Sequence, residues 1–461
     1  MASSPSATME TFRDPSGSLR IENDRVLRKV KRDLAGPALD FLRSELAEKW
    51  VASGRLVSTM VVDEDSTEQE TLLEHPRIFF TTYPWEWTPG QWAAAAELTL
   101  DLCESLVEKG LILKDATPLN VLFEGARPVF VDVLSIEKRA EESPLWIAYG
   151  QFVRTFLLPL VAYKYLGWPL SACLHRRDGY EPSDLYPYLS HMQRWSAPVR
   201  SLVTLPYLLE KRGSTSSKRL GLRQPPEVAT VVLRRNLRKL RKVLAQLAPA
   251  ERKTRWSDYS HTAEHYAEAD HSQKQRFVRR ALATAKPENV LDLGANTGVY
   301  SRIAASCGAN VVGWDTDIAA SEQSWDTAME QRLPVLPVLA DPARPTPAAG
   351  WRNAESLSLL ERARGRFDCV MMLGLIHHLL VADQIPLGQI AWLLRELTTQ
   401  YAIVEWVPRA DPRFADLVRG RDALYSHLDE AAFLNAIDVH FTLVTREQLS
   451  NGRTLFLLKA R

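Results

Sequence analysis

Short apolar runs alternate with helical stretches in the second half of the chain. After Arg255 the runs predict seven β-strands, at residues 289–293, 310–314, 333–339, 367–373, 401–407, 441–445 and 454–459. Strands that alternate with helices are typical of βαβ units, so residues 256–461 are predicted to form an α/β domain around a Rossmann-like, doubly wound sheet. The last two runs follow each other closely, which predicts an antiparallel strand at one edge of that sheet.

A basic amphipathic helix is predicted over residues 227–248. Its apolar residues recur at helical spacing with Arg and Lys between them, namely Val228, Val231, Val232, Leu237, Leu240, Val243, Leu244 and Leu247. Residues 213–255 contain twelve basic and two acidic residues, although the whole chain has a net charge of only +1. A connecting helix with a solvated basic face is the favoured interpretation, and contact with nucleic acid or a membrane is the alternative.

Length and composition predict two domains. A chain of 461 residues exceeds what one compact core usually holds. We expect a disordered tail at 1–16, an α+β domain at 17–212, a basic linker and helix at 213–255 and the sheet domain at 256–461. The apolar segment 156–174 contains Pro159, Lys164 and Pro169, so a buried helix is favoured over a membrane span.

The cysteines and the first residues predict a cytoplasmic protein. Cys103, Cys173, Cys307 and Cys369 are widely scattered and lack the spacing of a zinc site or a disulfide framework. Residues 1–16 contain no apolar signal region, which disfavours secretion.

The loop after the first predicted strand has the composition of a ligand-binding turn. It reads Asp292-Leu293-Gly294-Ala295-Asn296-Thr297-Gly298, and its glycines let the backbone turn tightly and approach a ligand. Asp315 follows the second strand, where a carboxylate can accept hydrogen bonds from both ribose hydroxyls. Asp341 follows the third strand, so the carboxylates are expected together at the carboxyl edge of the sheet.

The acidic surroundings of this loop favour a cationic ligand over a dinucleotide. A pyrophosphate is usually bound by a Gly-x-Gly-x-x-Gly turn, whereas Asp292 precedes Gly294 and Gly298 here. The stretch resembles motif I of the class I S-adenosylmethionine-dependent methyltransferases, whose cofactor has a positive sulfonium and a positive amino group. The resemblance implies that the cofactor is bound by Asp292, Gly294, Asn296, Gly298, Asp315 and Asp341.

Further stretches are similar to a bacterial family of two-part methyltransferases, some of them nodulation-related. They are Asp341-Pro342, Gly350-Trp351-Arg352-Asn353 with Glu355, Ile376-His377-His378-Leu379 and Glu405-Trp406-Val407-Pro408. Tyr259, Tyr266 and Lys274 fit the approach to motif I in that family. The resemblance implies that these side chains cover the cofactor as a lid, and a plain role as helix residues is the alternative.

Two histidines are the candidate catalytic bases. An alcohol or phenol must lose a proton when it is methylated, and an imidazole can accept that proton near neutral pH. His377 and His378 follow the fourth predicted strand, at the edge where acceptors bind in this fold, and one of them is the candidate base; a role in packing or orienting the loop is the alternative. Glu405, at the end of the fifth strand, is predicted to orient a histidine or to bind an acceptor amine, and a paired structural carboxylate is the alternative. No metal site is predicted, because His261, His265 and His271 have no companion carboxylate at ligand spacing.

The first half contains one group of residues that resembles a known catalytic arrangement. Asp115, Asn120 five residues later and Asp132 after a predicted hairpin resemble the catalytic and metal loops of protein-kinase-like folds. On that resemblance Asp115 would orient a hydroxyl, and Asn120 and Asp132 would hold Mg²⁺. Leu113 stands where such folds have His or Arg, and no glycine-rich phosphate loop is present. A reduced kinase-like domain with an acceptor-binding or structural role is therefore favoured over a phosphorylating one.

These observations together predict an S-adenosylmethionine-dependent methyltransferase with a small-molecule or natural-product acceptor, methylated on oxygen or nitrogen. A bifunctional kinase-methyltransferase and an RNA-directed or non-catalytic binding protein remain the alternatives. The near-neutral charge disfavours nucleic acid as the main partner, and no membrane partner is expected.

Overall fold

The computed structural model describes residues 17–22, 25–62, 69–212, 223–248 and 265–461, with side chains from His271 onward in the last range. The chain separates into two compact units, residues 1–250 and 251–461. The predicted tail at 1–16, the linker at 213–217, Tyr259 and His261 lie outside the described residues, as do the side chains of His265 and Tyr266. Within the described ranges, no helix combines the length and apolarity that crossing a membrane requires.

The first unit begins with an antiparallel sheet of four strands. They are β1 (Gly17–Glu22), β2 (Arg25–Lys31), β3 (Met60–Val62) and β4 (Glu70–Pro76), in the order β1-β2-β4-β3. Helices α1 (Arg32–Leu42) and α2 (Glu45–Ala52) connect β2 to β3. Val30 and Leu73 are fully buried on the inner face of the sheet, which fixes its core side.

A long buried helix, α3 (Pro89–Val107), forms the centre of the first unit. Thr88 caps its first turn, since its hydroxyl accepts from the Gln91 N–H at 3.2 Å while the Gln91 side chain accepts from the Thr88 N–H at 2.8 Å. Two strand pairs follow, β5 (Leu111–Leu113) with β8 (Ile136–Lys138) and β6 (Val121–Glu124) with β7 (Arg127–Phe130). The β6–β7 pair confirms the predicted hairpin before Asp132.

The rest of the first unit is helical. Its α-helices are α4 (Tyr149–Phe152), α5 (Leu158–Val161), α6 (Pro182–Leu185), α7 (His191–Trp195), α8 (Ala197–Val199), α9 (Leu205–Lys211) and α10 (Pro226–Leu247). π-Helical turns Val153–Leu157 and Ala162–Leu166 extend α4 and α5 into one run. Phe156, Leu157 and Leu158 have no exposed surface, which confirms the predicted buried helix in this segment.

Helix α10 packs against α3 through its basic side chains. Arg241 forms ion pairs with Glu97, with Asp101 at 2.6 Å and with Glu104 at 3.4 Å. Arg238 pairs with Glu104 at 3.4 Å, and Arg234 pairs with Glu108. The basic face predicted to be solvated therefore lies partly against an acidic face of α3.

The apolar stripe of α10 differs from the predicted one in its first turns. Val228, Val231 and Val232 are 45%, 67% and 37% exposed, so the prediction for these three valines was wrong. Ala229 and Leu233 are buried in their place, because they continue the three- and four-residue spacing of the buried leucines that follow.

The second unit is a seven-stranded sheet flanked by helices, as predicted. Its strands are β9 (Asn289–Leu293), β10 (Asn310–Asp315), β11 (Val335–Leu339), β12 (Phe367–Met372), β13 (Thr398–Trp406), β14 (Phe441–Gln448) and β15 (Thr454–Ala460). Its helices are α11 (His265–Ala285), α12 (Val299–Ser306), α13 (Ile318–Gln331), α14 (Leu359–Ala363), α15 (Leu387–Leu397), α16 (Pro412–Val418) and α17 (Glu430–Asp438). The strand order is β11-β10-β9-β12-β13-β15-β14, and β9 to β13 are parallel.

The antiparallel strand lies one place inside the edge, which corrects the predicted edge position. β15 pairs antiparallel with β13 on one side and with β14 on the other. Thr454 to Leu458 of β15 are all buried and need neighbours on both sides, whereas most of β14 is exposed. The more polar strand of the hairpin therefore occupies the edge.

Candidate functional site

The sheet reverses its strand order between β9 and β12. In an open α/β sheet this switch point leaves a crevice beyond the carboxyl ends of the strands, because the two flanking loops diverge to opposite faces. The loop after β9 contains Gly294 to Gly298, and the loop after β12 contains Gly374 to His377. The predicted glycine turn and the predicted histidines thus flank the same crevice.

The glycine turn is built for close backbone packing. Gly294, Asn296 and Gly298 all have positive φ values, of 73°, 49° and 74°. A Cβ on Gly298 would lie 2.3 Å from the Ser324 hydroxyl, so only glycine fits there. Gly313 on β10 makes a similar approach, since a Cβ would lie 2.9 Å from the Ala295 Cβ. The sequence interpretation did not single out Gly313, because a lone glycine inside a strand gives a weak signal.

Asp315 lies at the end of β10 and holds the glycine turn. Its Oδ2 accepts the Asn296 N–H at 2.8 Å, and its Oδ1 accepts the Asp317 N–H at 2.8 Å. Burial raises the pKa of Asp315, and backbone hydrogen bonds from Asp317, Asn296 and Thr316 offset part of that effect. A carboxylate has about four acceptor positions, so Asp315 retains capacity for a ligand hydroxyl, which fits the predicted ribose contact.

Asp292 is the most deeply buried carboxylate of the turn. It is 2% exposed, and its Oδ2 accepts a hydrogen bond from the Ser301 hydroxyl at 2.7 Å. Burial raises its pKa to about 6, while the Ser301 hydrogen bond and the charge of Lys274 lower it and nearby Asp315 raises it further. A cation bound beside Asp292 would stabilise its ionised form. The carboxylates of this turn therefore suit a ligand with a sulfonium or an ammonium group.

Asp341 follows β11 and is engaged by its own turn. Its Oδ1 accepts the Ala343 N–H at 2.8 Å, and its Oδ2 accepts from Arg344 at 2.9 Å. Arg344 also pairs with Asp383, in the segment that follows the histidines, at 2.7 Å. Asp341 therefore joins the loops after β11 and β12.

A buried ion network occupies the next strand end. Lys274 on α11 donates to Glu405 Oε2 at 2.6 Å, and Arg453 donates to Glu405 Oε1 at 3.5 Å. Arg453 also donates to both oxygens of Asp411, at 2.7 and 3.2 Å. The four side chains balance in charge, and the Lys274 ammonium also lies 4.8 Å from the centre of the Tyr300 ring.

The network keeps Glu405 ionised although it is only 1% exposed. Burial alone would raise its pKa, but the charges and hydrogen bonds of Lys274 and Arg453 hold the pKa below 4.5. The pKa of Asp411 is lowered in the same way, with Arg453 overcoming the effect of burial. Arg453 and Asp411 were missed from the sequence, because a single Arg and a single Asp in loops give no pattern.

His377 and His378 begin the helical turn after β12. His377 is 3% exposed, and its ring lies 4.3 Å from that of His378, measured between centres. Burial, followed by the charges of His378 and Arg453, lowers the pKa of His377 to about 3. The pKa of half-buried His378 is also lowered by burial, although the Asp383 carboxylate offsets part of this effect. The His377 ring is therefore neutral at pH 7, and its buried Nδ1 makes no hydrogen bond in the described part of the chain.

The structure brings most of the predicted site residues to this edge. Asp292, Gly294, Asn296, Gly298 and Asp315 form one side of the crevice. Lys274, Glu405, His377 and His378 follow on the neighbouring strand ends. The position of Tyr259 lies outside the described residues.

The residues of the kinase-like constellation in the first unit have the following surroundings. Asp132 forms an ion pair with Arg28 on β2, at 2.7 Å. Asn120 is 9% exposed, and its amide nitrogen has no hydrogen-bond partner among the described residues. Asp115 is half-buried and lies two residues after the end of β5.

Residues 264–405 match the family model of a methyltransferase domain. The match spans the glycine turn, the acidic strand ends and the histidines described above. The protein is an S-adenosylmethionine-dependent methyltransferase, and the acidic, glycine-lined crevice fits that cofactor.

The chain is 30% identical to the nodulation protein NoeA of Rhizobium meliloti (strain 1021), over 98% of this chain and 96% of that protein. It belongs to the same family as that protein.

Solved structures similar to parts of the chain include three methyltransferases. The N-methyltransferase NodS from Bradyrhizobium japonicum WM9 is 12% identical, covering 41% of this chain and 96% of NodS, with a TM-score of 0.32. The magnesium protoporphyrin IX methyltransferase ChlM from Synechocystis PCC 6803, with bound S-adenosylhomocysteine, is 16% identical, covering 43% and 89%, with a TM-score of 0.32. The bifunctional kinase-methyltransferase WbdD is 21% identical, covering 43% of this chain and 40% of WbdD, with a TM-score of 0.29.

Proposed function

We propose that the protein methylates a hydroxyl or amine of a small-molecule acceptor, which His377 orients at the end of β12. The observation that supports this role most directly is the state of the imidazole. His377 is almost fully buried and neutral, yet its buried Nδ1 has no hydrogen-bond partner within the described residues. A buried polar atom without a partner is costly, and an acceptor O–H or N–H would satisfy it.

The residues around the crevice have different proposed roles in methyl transfer. S-adenosylmethionine, when bound, supplies a methyl group on a positively charged sulfur. The lone pair of an acceptor can attack the methyl carbon in line with the carbon–sulfur bond, and the sulfur is the leaving group. Asp315 would hold the ribose hydroxyls with its remaining acceptor positions, and Asp292 would favour the positive charge. Gly294, Asn296 and Gly298 shape the turn, and Asp341 fixes the adjoining loop.

The two histidines have different proposed roles. With a pKa of about 3, His377 accepts a hydrogen bond but takes up a proton poorly at neutral pH. It therefore orients the acceptor. His378 is more exposed, and the charge of the Asp383 carboxylate offsets part of the effect of burial on its pKa. His378 is proposed to take the proton that an acceptor hydroxyl releases.

Glu405 is proposed to position other groups rather than to act as a base. Both of its carboxylate oxygens are bound by cations, at 2.6 Å from Lys274 and 3.5 Å from Arg453. Lys274 is fixed by this bond close to Asp292, whose pKa it lowers. The ion pair thus links the α11 side of the crevice to the end of β13.

The first test identifies the acceptor. Small-molecule extracts are incubated with the protein and a methyl donor that has a deuterated methyl group, and labelled products are found by mass spectrometry. A labelled small molecule is expected. Labelling only of RNA or protein fractions, tested in parallel, would contradict the proposal.

The second test separates orientation from cofactor binding. With the labelled acceptor in hand, His377→Asn and His378→Asn should each lower turnover by about tenfold to a hundredfold and leave the affinity for S-adenosylmethionine unchanged. His427→Asn is the matched control, because His427 is exposed outside the crevice residues. Full activity of both crevice variants would refute the assigned roles.

The alternative functions have less support. The RNA-directed alternative depends on the basic helix, but Arg234, Arg238 and Arg241 are paired with acidic residues of α3. A second activity as a kinase depends on Asp132, which is paired with Arg28. The kinase-like origin of the first unit stays a prediction, as does its acceptor-binding or structural role.

A further inference from the structure

A cavity of about 790 Å³ lies in the first unit, outside every residue assigned to methyl transfer. Its walls are formed by β5 and β8, by residues 139–149, by the π-helical turn Arg200–Thr204 and by one face of α10. Cavities of this size commonly hold a small organic molecule.

The cavity is mostly apolar. Leu233, Leu237 and Leu240 form the α10 wall, and each is at most 2% exposed. Buried Trp146 forms part of the opposite wall, while Ile147 nearby is 73% exposed. The cavity therefore offers an apolar floor and an apolar rim, which suits an elongated hydrocarbon or aromatic body.

The polar part of the lining is cationic. Among the described residues, Lys138, Arg139 and Lys239 line the cavity together with one carboxylate, that of Glu137. A ligand with a negative group is therefore favoured over a neutral or positive one.

Arg139 has unused hydrogen-bonding capacity. One of its guanidinium nitrogens donates to the Thr230 hydroxyl at 2.8 Å. Its Nε and its other terminal nitrogen are buried and have no partner among the described residues. Most buried charged groups in proteins are paired, because an unpaired one loses its hydration without compensation. Either of these nitrogens can donate a charge-assisted hydrogen bond to a carboxylate or phosphate oxygen.

We propose that this cavity is a binding site for an amphipathic anion, with an apolar chain along α10 and a carboxylate or phosphate on Arg139. The site shares no residue with the methyl-transfer crevice, and no step of the proposed reaction uses it. The nearby cations Lys138 and Lys239 add attraction for the same group.

Calorimetry with simple amphiphiles tests the proposal. The probes are dodecanoate and dodecyl phosphate, each below its micelle concentration, with dodecanol, inorganic phosphate and dodecyltrimethylammonium as comparisons. Saturable binding of at least one anionic amphiphile is expected, at least tenfold tighter than that of dodecanol or the cationic amphiphile. The better of the two anions identifies the head group. Absence of binding, or equal binding of dodecanol, would overturn the proposal.

Variants locate the bound anion. Arg139→Gln should weaken binding by about tenfold, which is the expected effect of losing hydrogen bonds from a charged donor. Lys239→Glu should also weaken binding of the anionic amphiphile. Arg235→Glu should not weaken it, because Arg235 does not line the cavity. The two substitutions change the charge of the same helix by the same amount. Thermal unfolding of each variant checks the fold. If Arg139→Gln unfolds, the comparison of Lys239→Glu with Arg235→Glu decides the outcome. Equal loss of binding affinity in these two variants, or no loss in either, would refute the site.

Discussion

The buried carboxyl of Asp292 predicts that cofactor affinity depends on pH in a defined window. Its pKa is raised to about 6 by burial. Lowering the pH from 7 to 5 therefore changes its ionised fraction from about nine-tenths to about one-tenth. S-adenosylmethionine is a cation at its sulfur and amino group, and it prefers the ionised carboxylate. Affinity is expected to rise with pH through this window and to level off above it.

The size of the effect follows from the same numbers. If the bound cation restores an ordinary carboxyl pKa in the complex, the dissociation constant should be about tenfold larger at pH 5 than at pH 7, or about 1.4 kcal/mol. The Ser301 hydrogen bond lowers the pKa of Asp292. Ser301→Ala should therefore move the midpoint of the dependence to higher pH.

Calorimetric titration with S-adenosylmethionine from pH 5 to pH 7 measures this dependence, with circular dichroism to check the fold at each pH. Asp292→Asn should bind more weakly at pH 7 and show a nearly flat dependence. Asp368→Asn is the control, because Asp368 accepts from the Glu288 and Asn289 N–H groups at the opposite edge of the sheet. A full tenfold change in Asp292→Asn would show that another group, such as Asp315, is responsible.

Two further predictions concern the stability of the crevice. Lys274→Met or Glu405→Gln should each reduce the free energy of unfolding by about 3 kcal/mol, and the double variant Lys274→Met/Glu405→Gln by less than the sum, because a single change leaves a buried charge with an incomplete set of partners. Urea denaturation of the full chain measures this, and simple additivity would contradict the coupling. Gly298→Ala should lower both stability and cofactor affinity, since its Cβ would lie 2.3 Å from the Ser324 hydroxyl. Gly308→Ala is the control, because Gly308 also has positive φ but has no atom within 4 Å of an added Cβ, and equal effects of the two changes would rule out the clash.

The second unit was predictable from the sequence because its signals are local. Buried parallel strands give continuous apolar runs, and the turn after β9 combines glycines with Asp292 within a few residues. The order of the last two strands in the sheet was harder to predict from the sequence. Which strand of a hairpin lies at an edge depends on burial, and the exposed side chains of β14 decide it in the structure.

The parts that the sequence did not predict depend on long-range pairing. Arg453 reaches Glu405 across 48 residues, and Arg241 reaches Glu97 across 144. A periodic stretch indicates that a helix has two faces, but it does not indicate what each face contacts. The arginines of α10 therefore predicted a solvated face, although an acidic partner helix was present earlier in the chain.

The hairpin of β14 and β15 also affects the order in which the second unit can be completed during synthesis. Glu405 and Lys274 leave the ribosome before Arg453, which is needed to pair with Glu405 and Asp411. Until the hairpin is made, Asp411 lacks its guanidinium and β13 lacks its neighbour β15. Nascent chains that stop before this hairpin therefore expose an open strand and an unbalanced carboxylate, which makes them candidates for chaperone binding.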